Sequence, residues 1–418
     1  MSEKKIVVLG LGYVGLPLAL QLSFHFDVIG FDINPNRIRQ LKKGVDSTLE
    51  VKKDYLLKQQ KKKLYFTSNP ADFKSYNYFI ATVPTPIDKK NRPDLSYLLN
   101  VCKIIGPLIK KGDLVIFEST VYPGATEQIC APYLEKYSKN YKAGKDFFIG
   151  YSPERVNPGD KVHTIDKINK VISGQNSRVE KNLYDIYSKL TKGKIFVSKS
   201  IKVAEASKVI ENAQRDINIA FINEVAKICA KLNISVYDVL EASSTKWNFL
   251  NFEPGLVGGH CIGVDPYYLA HKAKDLAIDP KVVLSGRETN DQMVNFIGEI
   301  ISKKIKKKSK ILFLGITFKE DVPDLRNSKS ILLLKYLKKK KHQLVFYDPY
   351  VDKLADFQGT NFKKLKKNSL DAIILSVPHK IFINITLDDI IPLLKKDGKF
   401  FDIKGKFRKK KLKNYWSL

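Results

Sequence analysis

Lys5-Ile6-Val7-Val8-Leu9-Gly10-Leu11-Gly12-Tyr13-Val14-Gly15 opens the chain with a short apolar run and a glycine-punctuated loop, and an apolar helical pattern follows to about Phe24. A second apolar run, Val28-Ile29-Gly30-Phe31, ends on Asp32, 17 residues after Gly15. Strand, glycine loop, helix, strand and acidic residue, in that order, are what a dinucleotide-binding unit requires. Gly10 permits the turn, Gly12 lets the backbone reach a pyrophosphate, and Gly15 lets helix and strand pack closely. The helix N-terminus then faces the phosphates. Tyr13 and Val14 complete the loop and join the three glycines as cofactor-binding candidates. Asp32 is expected to accept hydrogen bonds from the adenosine ribose, which favours NAD over NADP. Arg37 is a further cofactor candidate, placed where a guanidinium would hold a 2′-phosphate. Pro17, Gln21, His25 and Asp27 interrupt the apolar stretch and argue against a signal peptide or a membrane span.

The alternation continues outward from this unit. Apolar runs at 78–83, 114–117, 147–151 and 195–197 read as further parallel strands, with helical patterns between them. A proline- and glycine-free helical pattern runs from Val203 to Leu232, roughly 45 Å at 1.5 Å per residue, long enough to separate domains or form a dimer seam. From Ile311 a second alternating region begins, with strands at 311–315, 344–347, 372–377 and 399–403 and helices at 328–340 and 387–394. Its first turn lacks the Gly-x-Gly-x-x-Gly pattern, so it is expected to hold a different ligand. The fold class is α/β: two Rossmann-like doubly wound domains joined by a long helix and a helical middle domain. The boundaries read as 1–200, 201–305 and 306–418 of the 418 residues.

Composition narrows the function classes. Cys102, Cys130, Cys229 and Cys261 are scattered, with neither zinc spacing nor a disulfide framework, so no metal is expected and a reducing, cytoplasmic setting fits. The net charge of +30 comes with lysine-rich runs at 61–63, 306–308, 338–341 and 408–411. These read as solvated surface, with steering of anionic ligands as the functional alternative. No basic stripe interleaved with aromatics and no nucleic-acid module is visible, so a nucleic-acid partner is set aside.

Candidate chemistry gathers around Gly258-Gly259-His260-Cys261-Ile262-Gly263-Val264-Asp265. A cysteine behind a glycine pair, with a carboxylate four residues on, suits a nucleophile set in a loop. Lys208 and Asn212 are four apart on the long helix and so share a face; two donors stacked this way suit an oxyanion. Alternatively this is a solvated face with a Glu211–Arg215 pair. Thr82-Val83-Pro84-Thr85-Pro86, Glu118-Ser119-Thr120 and Ser152-Pro153-Glu154-Arg155-Val156-Asn157 all close strands. Strand C-terminal ends face the ligand crevice in such sheets, which places Thr120 and Glu154 toward substrate. His260 is a candidate base, although adjacent residues tend to point apart.

Together these segments, with Gly315-Ile316-Thr317-Phe318-Lys319 and Asp324-Leu325-Arg326-Asn327-Ser328, resemble the UDP-glucose/GDP-mannose dehydrogenase family nearly end to end. The resemblance implies a four-electron oxidation of a nucleotide sugar at C6 that consumes two NAD. Hydride leaves the alcohol to give an aldehyde, a thiolate captures it as a thiohemiacetal, and a second hydride transfer yields a thioester that water hydrolyses. Carried over by position, Cys261 is the nucleophile, and Lys208 and Asn212 stabilise the oxyanion. Asp265 and Thr120 position a proton-accepting water, and Glu154 is the candidate base for hydrolysis. Pro84, Thr85, Thr120 and Arg326 resemble NAD contacts. Glu154, Arg155, Val156, Asn157, Lys208, Asn212, Phe252, Gly258, Phe318, Lys319 and Lys404 resemble substrate contacts. The resemblance also implies a homodimer or higher homo-oligomer.

Departures bear on the sugar. The glucose-type segment has a second glutamate where Pro158 stands, a lysine where Val264 stands, and an arginine near Ser244, for which Lys246 is a substitute. The pattern looks instead like the UDP-N-acetylhexosamine branch, most closely UDP-N-acetylgalactosamine dehydrogenases of surface-polysaccharide pathways. Arg155 and Asn157 are expected to offer polar contacts to an acetamido group. UDP-glucose, UDP-N-acetylglucosamine and UDP-N-acetylmannosamine are the alternatives. A single-hydride 3-hydroxyacid-type dehydrogenase and a basic nucleotide- or nucleic-acid-binding regulator on a Rossmann scaffold are the rival classes.

Overall fold

Strands that are apolar on both faces must be covered on both faces, and that requirement shapes each half of this chain. A computed structural model describes residues 3–160, 162–384, 387–410 and 412–418. The chain divides into two compact units, Met1–Glu211 with Tyr267–Asp279, and Asn212–Pro266 with Pro280–Leu418.

In the first unit the strands are β1 (Lys5–Leu9), β2 (Asp27–Phe31), β3 (Leu64–Thr67), β4 (Tyr78–Ala81), β5 (Leu114–Phe117), β6 (Phe148–Tyr151), β7 (Lys170–Gly174) and β8 (Ile195–Val197). They form one sheet in the order β3-β2-β1-β4-β5-β6-β7-β8. The first six are parallel and reproduce the 3-2-1-4-5-6 order of a dinucleotide fold. Ile6, Val8 and Ile116 pack on one face, and Val7, Leu9, Val115 and Phe117 on the other. One expectation needs correction. β7 pairs antiparallel with β6, and β8 follows β7, so the strand at 195–197 runs against β1–β6.

The second unit carries β9 (Lys310–Leu314), β10 (Gln343–Tyr347), β11 (Gln358–Gly359), β12 (Leu370–Leu375), β13 (Leu394–Asp402) and β14 (Tyr415–Ser417). Their order, β11-β10-β9-β12-β13-β14, repeats the same topology, and every pairing is parallel. The helix expected at 387–394 is shorter: it covers Leu387–Ile390, a 3₁₀ turn follows, and β13 begins at Leu394. Pro392 is the reason, because it has no N–H to continue the ladder and disfavours helical geometry at the residue before it.

The long helix spans Ile201–Leu232, 32 residues. Among the described residues, no helix is long and apolar enough to cross a membrane. The lysine-rich runs are exposed, as a solvated surface requires, except that Lys411 lies outside the described residues.

Candidate active site

The glycine loop between β1 and the helix Gly15–Leu22 shows why each glycine is there. Gly10 has φ +98°, in the left-handed region. A Cβ on Gly15 would fall 1.8 Å from the Gly10 carbonyl oxygen and 2.4 Å from Thr82 Oγ1, so only glycine lets the helix start this close. A Cβ on Gly12 would meet nothing within 4 Å. The space beside its backbone is open, which fits a pyrophosphate. Thr82 Oγ1 donates to the carbonyls of Leu9 and Gly10 and pins the loop to β4. Asp32 accepts the Leu11 amide on one oxygen and the Asn34 amide on the other, each at 2.9 Å. Each oxygen keeps a lone pair for a ribose hydroxyl.

Arg37 differs from expectation. Its side chain is buried, with Nε on the Leu11 carbonyl, one terminal nitrogen on Ser47 and the other on Asp46 at 2.8 Å. Turned inward in this way, it braces the loop from behind and is not set to hold a 2′-phosphate. Asp46 is depressed below its ordinary pKa: burial opposes its ionisation, but hydrogen bonds from Thr48, Val51 and Arg37 outweigh that.

At the ends of β4, β5 and β6 the crevice residues are tied together. Ser119 Oγ donates to the Val83 carbonyl at 2.6 Å and Thr85 Oγ1 to the Thr120 carbonyl at 2.7 Å. Glu205, buried on the long helix, accepts the amides of Gly124 and Thr126, fixing the loop that follows Thr120. Sequence reasoning missed the cluster beneath these residues. Lys170, the first residue of β7, is wholly buried, with Nζ 3.1 Å from Glu118 and 3.3 Å from Glu154. Tyr187 donates its hydroxyl to Glu118, and Lys170 lies 5.1 Å above the Tyr187 ring. The other Glu154 oxygen accepts the amides of Arg155 at 2.6 Å and Val156 at 2.5 Å.

These partners drive the two carboxyls apart. Burial raises the Glu118 pKa to about 7, despite Lys170. Burial opposes ionisation of Glu154 as well, but Lys170, the Val156 amide and Lys208 leave it below its ordinary pKa. Glu118 was legible in one respect, as a carboxylate closing an apolar strand directly before Ser119-Thr120. Arg155 forks onto Glu211 on the long helix, with contacts of 2.7 and 3.1 Å. That pair engages the Glu211 that the alternative reading of this face gave to Arg215, and it takes up the guanidinium expected to meet an acetamido group.

In the second unit the cysteine loop is locked by its own glycines. Gly259 has φ +89°, and a Cβ there would lie 2.7 Å from the Phe318 ring. A Cβ on Gly258 would lie 2.6 Å from the Asn327 carbonyl oxygen. Asn327 Nδ2 donates to the Gly259 carbonyl at 2.9 Å. Half-buried Cys261 turns the chain into the helix Asp265–Asp275, its carbonyl accepting the amides of Val264 and Asp265 at 3.0 and 2.8 Å. Asp265 is buried, and Asn212 Nδ2 donates to its carboxylate at 2.5 Å.

His260 Nε2 lies 2.9 Å from Asp324, which also binds Arg326 at 2.6 Å, so the imidazole is oriented by that carboxylate. Phe318 packs edge-on against His260, and Lys404 pairs with Glu320 at 2.6 Å. Behind the loop, Asn223 accepts the Gly255 amide and donates to the Gly255 carbonyl. The structure thus brings Asn212 on the long helix and Asp265 at a helix start into one network with the loop residues Gly258, Cys261, Phe318 and Arg326, and Thr120, Glu154 and Lys208 into the set around the crevice of the other unit.

Family models give this geometry its context. The NAD binding domain of the UDP-glucose/GDP-mannose dehydrogenase family matches residues 4–191, its central domain residues 202–292, and its UDP binding domain residues 312–409. The chain belongs to the UDP-glucose/GDP-mannose dehydrogenase family. It is accordingly an NAD-dependent oxidoreductase acting on a UDP-sugar. Protein CapL of Staphylococcus aureus is 48% identical over 96% of both chains. The UDP-N-acetyl-D-glucosamine 6-dehydrogenase of Pseudomonas aeruginosa is 45% identical over 97% of both. Among solved structures, the UDP-D-ManNAc dehydrogenase of Pyrococcus horikoshii superposes with a TM-score of 0.88 at 29% identity, covering 99% of this chain and 98% of that one.

Proposed function

We propose that this family member oxidises C6 of a UDP-N-acetylhexosamine to the uronic acid, with UDP-N-acetylglucosamine as the preferred substrate. The Pseudomonas aeruginosa relative, 45% identical end to end and named for that sugar, supports this over the galactosamine epimer that the sequence pattern favoured. UDP-N-acetylmannosamine is the second reading, from the Pyrococcus horikoshii structure. The observation that carries the chemistry is Cys261 in a glycine-locked loop, four residues before an Asp265 carboxylate held by Asn212.

NAD, held at Gly10–Gly15 and Asp32, would supply the hydride acceptor, twice per sugar. Cys261 adds as thiolate to the C6 aldehyde, and Lys208 and Asn212 donate to the resulting oxyanion. Loss of the second hydride leaves a thioester. Water then attacks its carbonyl carbon, Glu154 takes the water proton, and the C–S bond breaks to release the acid and the thiolate. Thr120 and Asp265 hold the water that accepts the first proton. Pro84, Thr85 and Arg326 line the cofactor side, while Val156, Asn157, Phe252, Gly258, Phe318, Lys319 and Lys404 recognise the nucleotide sugar. The enzyme works as a homodimer in the cytoplasm and supplies surface polysaccharide.

Incubation with NAD and a panel of UDP-sugars, counting NADH per sugar consumed, tests the reading. Two NADH per sugar and fastest turnover of UDP-N-acetylglucosamine are expected. One NADH per sugar would remove the thioester route, and UDP-glucose oxidised as fast would remove the acetamido preference.

A further inference from the structure

Lys170 has no place in the chemistry described so far, yet its environment is unusual for a structural lysine. It is wholly buried, on a strand where an apolar side chain would pack as well. A buried ion pair rarely stabilises a fold more than such a replacement. One carboxylate would neutralise it, but two lie within 3.3 Å, and the second belongs to Glu154. The groups facing Glu154 are Glu118 at the end of β5, Lys170 on β7, Tyr187 on the helix Ser177–Leu190, Lys208 on the long helix, and the Arg155–Glu211 pair.

We propose that Lys170 is a positioning residue for thioester hydrolysis, clamped between Glu118 and Glu154 so that Glu154 presents one fixed, anionic oxygen pair to the attacking water. The inference rests on the proposed role of Glu154 and goes beyond it. The division of labour follows from the hydrogen bonds. Besides Lys170, Glu154 receives two backbone amides, whereas Glu118 receives the Tyr187 hydroxyl. When the cluster takes up a proton, it resides on Glu118, in keeping with the pKa of about 7 there and the depressed value at Glu154. Glu154 therefore enters hydrolysis unprotonated across the neutral range. During the step it takes one proton from the water whose oxygen bonds to the thioester carbon, and the Cys261 sulfur leaves as thiolate.

The test is a single-turnover measurement of acid release from the thioester as a function of pH, on wild type, K170M, K170R, E118Q and E154Q. Wild type should hold its rate on the acid side, with an inflection near the Glu118 pKa of about 7. K170M should slow at least about tenfold, and its rate should fall as pH drops, because Glu154 without its cation becomes protonated in the working range. K170R should restore the flat acid side, and E118Q should lose the inflection. A K170M protein of lower thermal stability but unchanged pH profile would overturn the proposal. Should K170M fail to fold, an E118Q profile still inflecting as in wild type would overturn it equally. E154Q separates the two claims. If E154Q hydrolyses normally, the role of Glu154 falls and this inference with it. If E154Q stalls while the Lys170 and Glu118 variants keep the wild-type profile, only the inference about Lys170 falls.

Discussion

Replacing Gly15 with alanine should abolish useful NAD affinity while leaving UDP binding intact. The added Cβ lands 1.8 Å from the Gly10 carbonyl oxygen and 2.4 Å from Thr82 Oγ1. Real Cβ contacts are no closer than 3.0 Å, so the helix start must retreat from β1 by about 1.2 Å. The nearest atom is the Gly10 backbone carbonyl oxygen, which cannot swing aside as a flexible side chain would, and overpacking of this kind costs about 1–3 kcal/mol. The retreat also drags the helix N-terminus and loop amides off the pyrophosphate. Losing part of that charge-assisted bonding costs about 3 kcal/mol, or some two orders of magnitude in dissociation constant. Calorimetric titration with NAD and then UDP on the same sample measures both, UDP serving as the internal control for folding. A Gly12→Ala variant completes the comparison. Its Cβ meets nothing within 4 Å, so thermal stability should stay at the wild-type value while NAD binding weakens. A Gly15→Ala protein that binds NAD within about threefold of wild type would refute the reading of the loop.

Three further outcomes are expected. Cys261→Ser should stop steady NADH formation from the UDP-sugar, leaving at most a stalled intermediate; normal turnover to the acid, followed at 340 nm with product analysis, would exclude the thioester route. Asn223→Ala should lower the unfolding free energy from chemical denaturation by about 2–4 kcal/mol, since it strands both the N–H and the C=O of buried Gly255. Asp216 is pushed up to about 6, burial outweighing the attraction of Arg287. Because this folded value lies above the unfolded one, its stabilising contribution is complete below about pH 4 and is lost as pH rises through 6, at most about 3 kcal/mol. Asp216→Asn should flatten that decline in denaturation curves taken between these pH values, and an unchanged slope would contradict the assignment.

The parts legible in the sequence were those where local geometry admits few residues. Gly10 and Gly15 each answer a backbone constraint that no other residue meets, Gly12 keeps the space beside the loop open, and Asp32 falls where β2 must end. Alternation of apolar runs was enough to announce the second parallel sheet. Strand direction was not legible: the run at 195–197 reads the same whether parallel or antiparallel, and the reversal is decided by β7, a short strand that opens with a lysine. In a chain with 73 lysines and arginines, one more lysine carries no signal of burial. Arg37 was misplaced because its partner, Asp46, lies in an irregular segment whose return to the helix no periodicity foretells. The sugar epimer escaped for a different reason, since it turns on the orientation of single hydroxyls and not on any motif.

The reversal of β7 has an effect on how freely this region can vary. Tyr151 pairs with Ser173 and Gly150 with Gly174, so the connecting stretch leaves and re-enters the sheet along the same rim. Glu154 sits at its departure and Lys170 at its return, and the 3.3 Å contact between them closes the stretch like a clasp. Between the two, buried Ile165 and the carbonyls of Asp166 and Ile168 anchor the stretch again, so insertions and changes of composition are tolerated best near Gly159 and Asp160. Doubling such a loop adds only about 0.6 kcal/mol of closure cost. Sequence change can thus accumulate there while the contact between Glu154 and Lys170 keeps its dimensions.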